Sequence, residues 1–375
     1  MKHVVSIRQL MRPLLHNHWK SWPQTRYAFM TKNETRTIVG VSVLLITYGL
    51  LSLSQAFPPR EAKVTDGEDA RMYQRAIERM HVGENYYQIV GEELRTRGYA
   101  LRPFFNWRLP TIAWAIGHLP SVEWGRWALA ILAFLTLLLW FQVLDREVGF
   151  SFAVAGALLL CGPLLLCLSE KGVYYHELWA GVLIALSLAA HALGHKIVSI
   201  IVGVLAVFIR ELALPYVLIM LIVALWEKHN REVLGWFGGV IIFSLFLGYH
   251  AFLVSGLLTP LDIENESWIQ FGGWHFVLST GVWNILLLVA PKWIVAIVLP
   301  LALIGVVGWR GASGVRVSLV LGVYFCAYLI AGRVDNTYWG LMYAPLIPLG
   351  FLYAIPSLID LTKRLLWGHS HMSVP

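Results

Sequence analysis

The chain has 375 residues, of which 58% are hydrophobic and 14% charged, and its mean hydropathy is +0.64. Soluble domains carry about 25% charged residues, so the composition excludes a soluble enzyme and points to an all-α, polytopic integral membrane protein. The formal net charge of +7 is spread over short segments between apolar runs, where basic residues orient helices, so no nucleic-acid surface is expected.

The N-terminal segment, 1–37, carries Lys2, Arg8, Arg12, Lys20, Arg26, Lys32 and Arg36 against Glu34 alone. The positive-inside rule keeps such a tail in the cytoplasm. No cleavable signal peptide is expected, because the first apolar run is span-length and has no small-residue cleavage site after it.

Ten apolar runs follow: Ile38–Phe57, Trp127–Leu144, Phe150–Leu168, Val173–Leu193, Ile197–Ile209, Leu212–Trp226, Val233–Val254, Trp293–Trp309, Val317–Ala331 and Tyr338–Leu361. Threaded from a cytoplasmic N-terminus, they place Arg146, Lys196, Lys228 with Arg231, Arg310 with Arg316, and Lys363 with Arg364 on the cytoplasmic side. Both termini are then cytoplasmic. The stretch 197–226 would be about 45 Å long as one helix, against a hydrocarbon core of about 30 Å. It therefore reads as two short spans with Arg210 and Glu211 at the tip. The run Phe276–Val289 is left as interfacial or re-entrant.

Two outer segments exceed simple connections, within what reads as one domain over 1–375. The first, 58–126, is partly helical. Tyr73, Ala76, Ile77 and Met80 recur at i, i+3, i+4 and i+7, an apolar stripe that suits an amphipathic helix on the membrane surface. Asn85–Leu94 suits a second one, and Ile112–Leu119 is too short to span. The other segment, 255–292, carries Asp262, Glu264, Glu266 and the sugar-stacking candidates Trp268 and Trp274. Cys161, Cys167 and Cys326 lie inside apolar runs and define no disulfide framework.

Charged residues are expensive near a membrane interior and mark candidate sites. They gather at the outer ends of the spans: Lys171, His176 and Glu177; Arg210 and Glu211; Arg333 and Asp335. In the first outer segment, Asp66, Glu68 and Asp69 lie just before Tyr73. Thr65 with Glu68 matches a helix capping box. Three carboxylates in four residues also suit a divalent cation, with Asp66 and Glu68 as ligands. Asp69, one helical turn before Tyr73, suits a general base.

Asp69 and Tyr73, an acid four residues before a tyrosine, resemble the first-loop motif of the GT-C superfamily of membrane glycosyltransferases. Gly83-Glu84-Asn85-Tyr86-Tyr87, Arg210-Glu211 between two short spans, and Tyr343-Ala344-Pro345-Leu346-Ile347-Pro348 are similar to stretches of bacterial polyprenol-phosphate-mannose-dependent mannosyltransferases. The resemblance implies an inverting enzyme of the bacterial inner membrane, working on its outer face in cell-envelope glycolipid chemistry. Its donor would be a polyprenyl-phosphate-linked sugar, and its acceptor a glycolipid, lipid-linked glycan or polysaccharide. Asp69 would be the base. Arg210 and Arg333, with His176 or Lys171, would hold the phosphate, and Glu177, Glu211 and Asp335 would orient those cations or bind sugar hydroxyls. A lipid or solute transporter or flippase is the alternative that ten spans with internal charges also suit.

Overall fold

The computed structural model describes residues 22–58, 68–264 and 270–367. The chain is an all-α membrane protein, and no named strand occurs among the described residues. The ten apolar runs all form helix, six of them long and apolar enough to cross a membrane. In chain order the α-helices of five or more residues are α1 (Lys32–Leu51), α2 (Glu68–His81), α3 (Tyr86–Thr96), α4 (Thr111–Gly117), α5 (Val122–Glu147), α6 (Phe150–Leu164), α7 (His176–Ala192), α8 (Lys196–Ile209), α9 (Leu214–Trp226), α10 (Asn230–Ser255), α11 (Gly273–Thr280), α12 (Ile285–Val289), α13 (Trp293–Gly308), α14 (Gly311–Ile330) and α15 (Ile347–Trp367).

Helix starts follow local chemistry. Thr31 and Glu34 form a capping box at α1, with the Thr31 N–H donating to Glu34 Oε2 at 2.7 Å. Asn85 caps α3 by accepting from the Tyr87 N–H at 3.0 Å.

The core is organised around α7. Every residue from His176 to His191 is buried, as expected of a helix that is apolar all round. It packs on α5, α8, α14 and the 3-10 segment Val334–Met342. Gly181 makes the last contact possible: a Cβ there would lie 2.0 Å from the Leu341 carbonyl oxygen. At Gly305 of α13 a Cβ would lie 1.8 Å from the Gly350 carbonyl oxygen of α15, so these two helices cross backbone to backbone, a small-residue contact common in membranes. Outward faces are apolar instead of charged. Ile131 and Phe134 on α5, Ile201 on α8, and Leu245 and Phe252 on α10 are all exposed, as residues that meet lipid would be.

The break between the two short helices falls where expected. Arg210 is extended (φ −147°, ψ 116°) between α8 and the 3-10 turn Glu211–Ala213. The chain reverses there, because Lys196 at the start of α8 and Glu227 just past α9 line one cavity at the far end. The run Phe276–Val289 forms no helix of crossing length. It splits into α11, buried except for the half-buried His275, and the five-residue α12, joined through a turn at Gly281–Asn284. Trp274 is buried on α11 and meets Phe325 edge-on, so it offers no face to a sugar in a loop. Trp268 lies outside the described residues. The last apolar run is only partly α-helical: its first residues belong to the 3-10 segment, and the α-helix starts at Ile347.

In the first loop segment the amphipathic helix forms, but its stripe faces protein, not a bilayer. Tyr73, Ala76, Ile77 and Met80 are all buried, and α2 packs on α3 and α4. The two loop segments are clasped together. Arg95 on α3 donates from Nε and Nη2 to the two oxygens of Asp262, at 2.8 and 2.9 Å, and the Leu101 N–H donates to the Ile263 carbonyl at 2.9 Å.

Candidate active site

At the first turn of α7 the chain places His176 and Glu177 side by side in an apolar interior. A carboxylate buried there must be paired. Glu177 Oε1 accepts from Arg210 Nε at 2.6 Å, and Arg108 Nη2 approaches the same oxygen at 3.8 Å. Arg210 also donates to Glu211. The result is an alternating chain, Arg108, Glu177, Arg210, Glu211, contributed by the loop before α4, by α7 and by the α8–α9 break. Arg210 is 1% exposed and bonded on both sides, so it holds Glu177 from behind.

Of the two arginines in this chain of charges, Arg108, its side chain 11% exposed, borders free space. Together with Ala70, Tyr73, Tyr175, His176 and Tyr338 it lines a narrow cleft of about 20 Å³ over Glu177. Its Nη2 donates to the Tyr338 hydroxyl at 2.8 Å, and its backbone carbonyl accepts from the Tyr86 hydroxyl at 2.7 Å. The Thr111 hydroxyl, three residues on, donates to the Phe208 carbonyl and ties this loop to the end of α8. Tyr338 is carried by the Val334–Met342 segment, which is pinned by Trp283 Nε1 donating to the Thr337 carbonyl at 2.7 Å and by the Tyr328 hydroxyl donating to the Trp339 carbonyl at 2.9 Å.

His176 packs edge-on to Tyr73, ring centroids 4.8 Å apart. Its Nε2 is buried and has no hydrogen-bond partner. An imidazole nitrogen left unsatisfied in the wall of a cleft is costly unless something else meets it, and so it marks a contact for a guest. The cleft thus offers a guanidinium, an imidazole nitrogen and tyrosine hydroxyls, a set suited to an anionic group with attached hydroxyls.

Five of the residues singled out in the sequence therefore meet here: Tyr73, His176, Glu177, Arg210 and Glu211. Lys171 does not join them; it is exposed, ahead of the 3-10 turn Gly172–Tyr174. Arg333 is half-buried and Asp335 exposed at the start of the Val334–Met342 segment, outside the cleft lining. Asp66 lies outside the described residues, and so do the side chains of Glu68 and Asp69. The backbone of α2 nevertheless runs directly from Asp69 into Ala70 and, one turn on, Tyr73, both of which line the cleft. Among the described residues, no group of three or more His, Cys, Asp or Glu could hold a metal ion.

Two residues of the cleft were not anticipated, Arg108 and Tyr338. Arg108 is one of nine basic residues between 58 and 110, and no local pattern separates it from Arg102. Its one signal is its position beside the Leu109-Pro110 entry to α4.

No protein-family model, no curated protein and no solved structure matches the chain.

Proposed function

We propose that the protein is an inverting glycosyltransferase of ten spans that takes its sugar from a polyprenyl-phosphate donor. The observation that carries this reading is the cleft in which Arg108 and the free Nε2 of His176 lie beside the turn of α2 that follows Asp69. A phosphate headgroup enters with its lipid tail between helices. Arg108 meets the phosphate, and Arg210 holds the Glu177 carboxylate behind it. The carboxylate of Asp69 takes the proton from an acceptor hydroxyl. The oxygen attacks the anomeric carbon as the bond from that carbon to the phosphate oxygen breaks. Polyprenyl phosphate leaves with the electron pair, its growing charge stabilised by a fixed guanidinium in a poorly hydrated site. Configuration at the anomeric carbon inverts. The resemblance to bacterial polyprenol-phosphate-mannose-dependent enzymes supports mannose as donor sugar and a glycolipid or glycan acceptor on the outer face of an inner membrane.

The test is release of free polyprenyl phosphate, measured by mass spectrometry, from a panel of polyprenyl-phosphate sugars offered to wild type and Asp69→Asn with a crude lipid extract as acceptor. The variant should lose about 10²–10⁴-fold in rate, the usual worth of a positioned base. Equal rates in both proteins would remove Asp69 from this role.

A further inference from the structure

A second polar cavity, of about 530 Å³, lies at the other end of α7. Glu177 and His191 on that helix are separated by 14 residues, about 21 Å at 1.5 Å per residue, so this cavity is distinct from the cleft at Arg108. Two turns and a helix build it: His191 and Lys196 flank the α7–α8 turn, Glu227 and His229 belong to the α9–α10 turn, and Arg316 comes from the second turn of α14.

The cluster has more donors than acceptors. Arg316, 3% exposed, donates from Nη2 to Glu227, while its buried Nε–H has no acceptor. His191 Nε2 lies 2.9 Å from Glu232 Oε2 and 2.7 Å from Lys196 Nζ. With Nε2–H donating to Glu232, Nδ1, 3.2 Å from Lys196 Nζ, can accept one ammonium hydrogen, which leaves Lys196 two further N–H donors. Both carboxylates are already engaged: Glu232 by His191, by His229 at 3.2 Å and by Lys196 at 3.6 Å, Glu227 by Arg316 and by His229 at 3.5 Å. The acids therefore have little left for a cation, and among the described residues no metal-ligating group forms. What the cavity lacks is an acceptor with several oxygens.

We propose that this cavity binds a phosphate group, held between the Arg316 guanidinium and the Lys196 ammonium. A guanidinium fork and an ammonium point charge together suit a tetrahedral oxyanion, and the volume leaves room for whatever the phosphate is attached to. The phosphate can come from a lipid headgroup or from a soluble phosphate.

Full-length protein in phosphatidylcholine nanodiscs is titrated with inorganic phosphate by calorimetry. In parallel, its thermal midpoint is recorded in nanodiscs containing phosphatidic acid. Saturable phosphate binding points to a soluble source, and a raised midpoint with phosphatidic acid alone points to a lipid headgroup; either supports the site. Lys196→Gln, at a partly exposed position that should fold, is expected to weaken the effect at least about tenfold, the loss of one charge-assisted hydrogen bond. Arg316→Lys keeps the charge but loses the fork, and should weaken it as well. Arg108→Gln, at the other end, removes any phosphate binding of that cleft and should leave the Lys196-dependent effect unchanged. The proposal is overturned if neither probe has an effect, if the effect survives in both Lys196→Gln and Arg316→Lys, or if it disappears in Arg108→Gln.

Discussion

Arg108 and Arg210 carry the same charge and do different work. Arg108 faces the cleft, whereas Arg210 is 1% exposed between two carboxylates. Arg108→Gln should therefore keep the fold and lose about 10²–10³-fold in turnover, the usual worth of one transition-state donor. Arg210→Met should act mainly on stability. Leaving the buried Glu177 beside an apolar side chain costs about 3–5 kcal/mol. A lowered thermal midpoint in detergent would show it, and an unchanged midpoint would contradict the buried chain of charges. The unequal legibility of these residues has a physical cause. Glu177, Arg210 and Glu211 stood out because ionisable groups are rare inside apolar runs. Arg108 and Tyr338 reach the cleft only through the tertiary ties of their loops to α3, α8, α14 and the α11–α12 turn, which local pattern does not encode.

At the scale of elements, α2 shows what periodicity tells and what it leaves open. The stripe Tyr73, Ala76, Ile77 and Met80 identified the helix, but a buried stripe looks the same whether it meets lipid or protein. Here it meets α3 and α4. The 3-10 instead of α-helical geometry of residues 338–346 is a similar case. Glycines 332 and 340 approach neighbouring side chains and backbone too closely for a regular apolar helix to be read from composition alone. The clasp between the loop segments makes a pH prediction. Hydrogen bonds from Arg95, followed by the Thr259 N–H, hold the Asp262 carboxyl well below the usual carboxylate range. A depressed pKa contributes stability that is fully present above the unfolded value, about 3.9, and is lost only as pH falls through the folded one. Hydrogen exchange at residues 257–264, corrected for intrinsic rate, should thus stay protected from pH 7 down to about 4. Asp262→Asn should expose these amides at neutral pH. Loss of protection in wild type between pH 7 and 5 would contradict the clasp.

For the whole molecule, hydropathy made the solvent legible. Apolar runs became helices with apolar outer faces, because a bilayer leaves no other way to satisfy the backbone. Helix number is firmer than span number, since four of the ten apolar helices are shorter than the six of crossing length. The α8–α9 hairpin makes a topological prediction: single cysteines placed at Glu170 and Lys228, in a background without the three native ones, should react with an impermeant thiol reagent from opposite sides of the membrane. Labelling from the same side would contradict the hairpin and the placement of the cleft and the phosphate cavity at opposite ends. The central claim, that the Arg108 cleft transfers a sugar from a lipid phosphate, is tested most directly by purified wild type in vesicles containing polyprenyl-phosphate mannose and acceptor lipid. The predicted result is free polyprenyl phosphate appearing in step with a mannosylated lipid of inverted anomeric configuration. Intact donor accompanied by movement of lipid between the two leaflets would contradict the enzyme and favour a flippase.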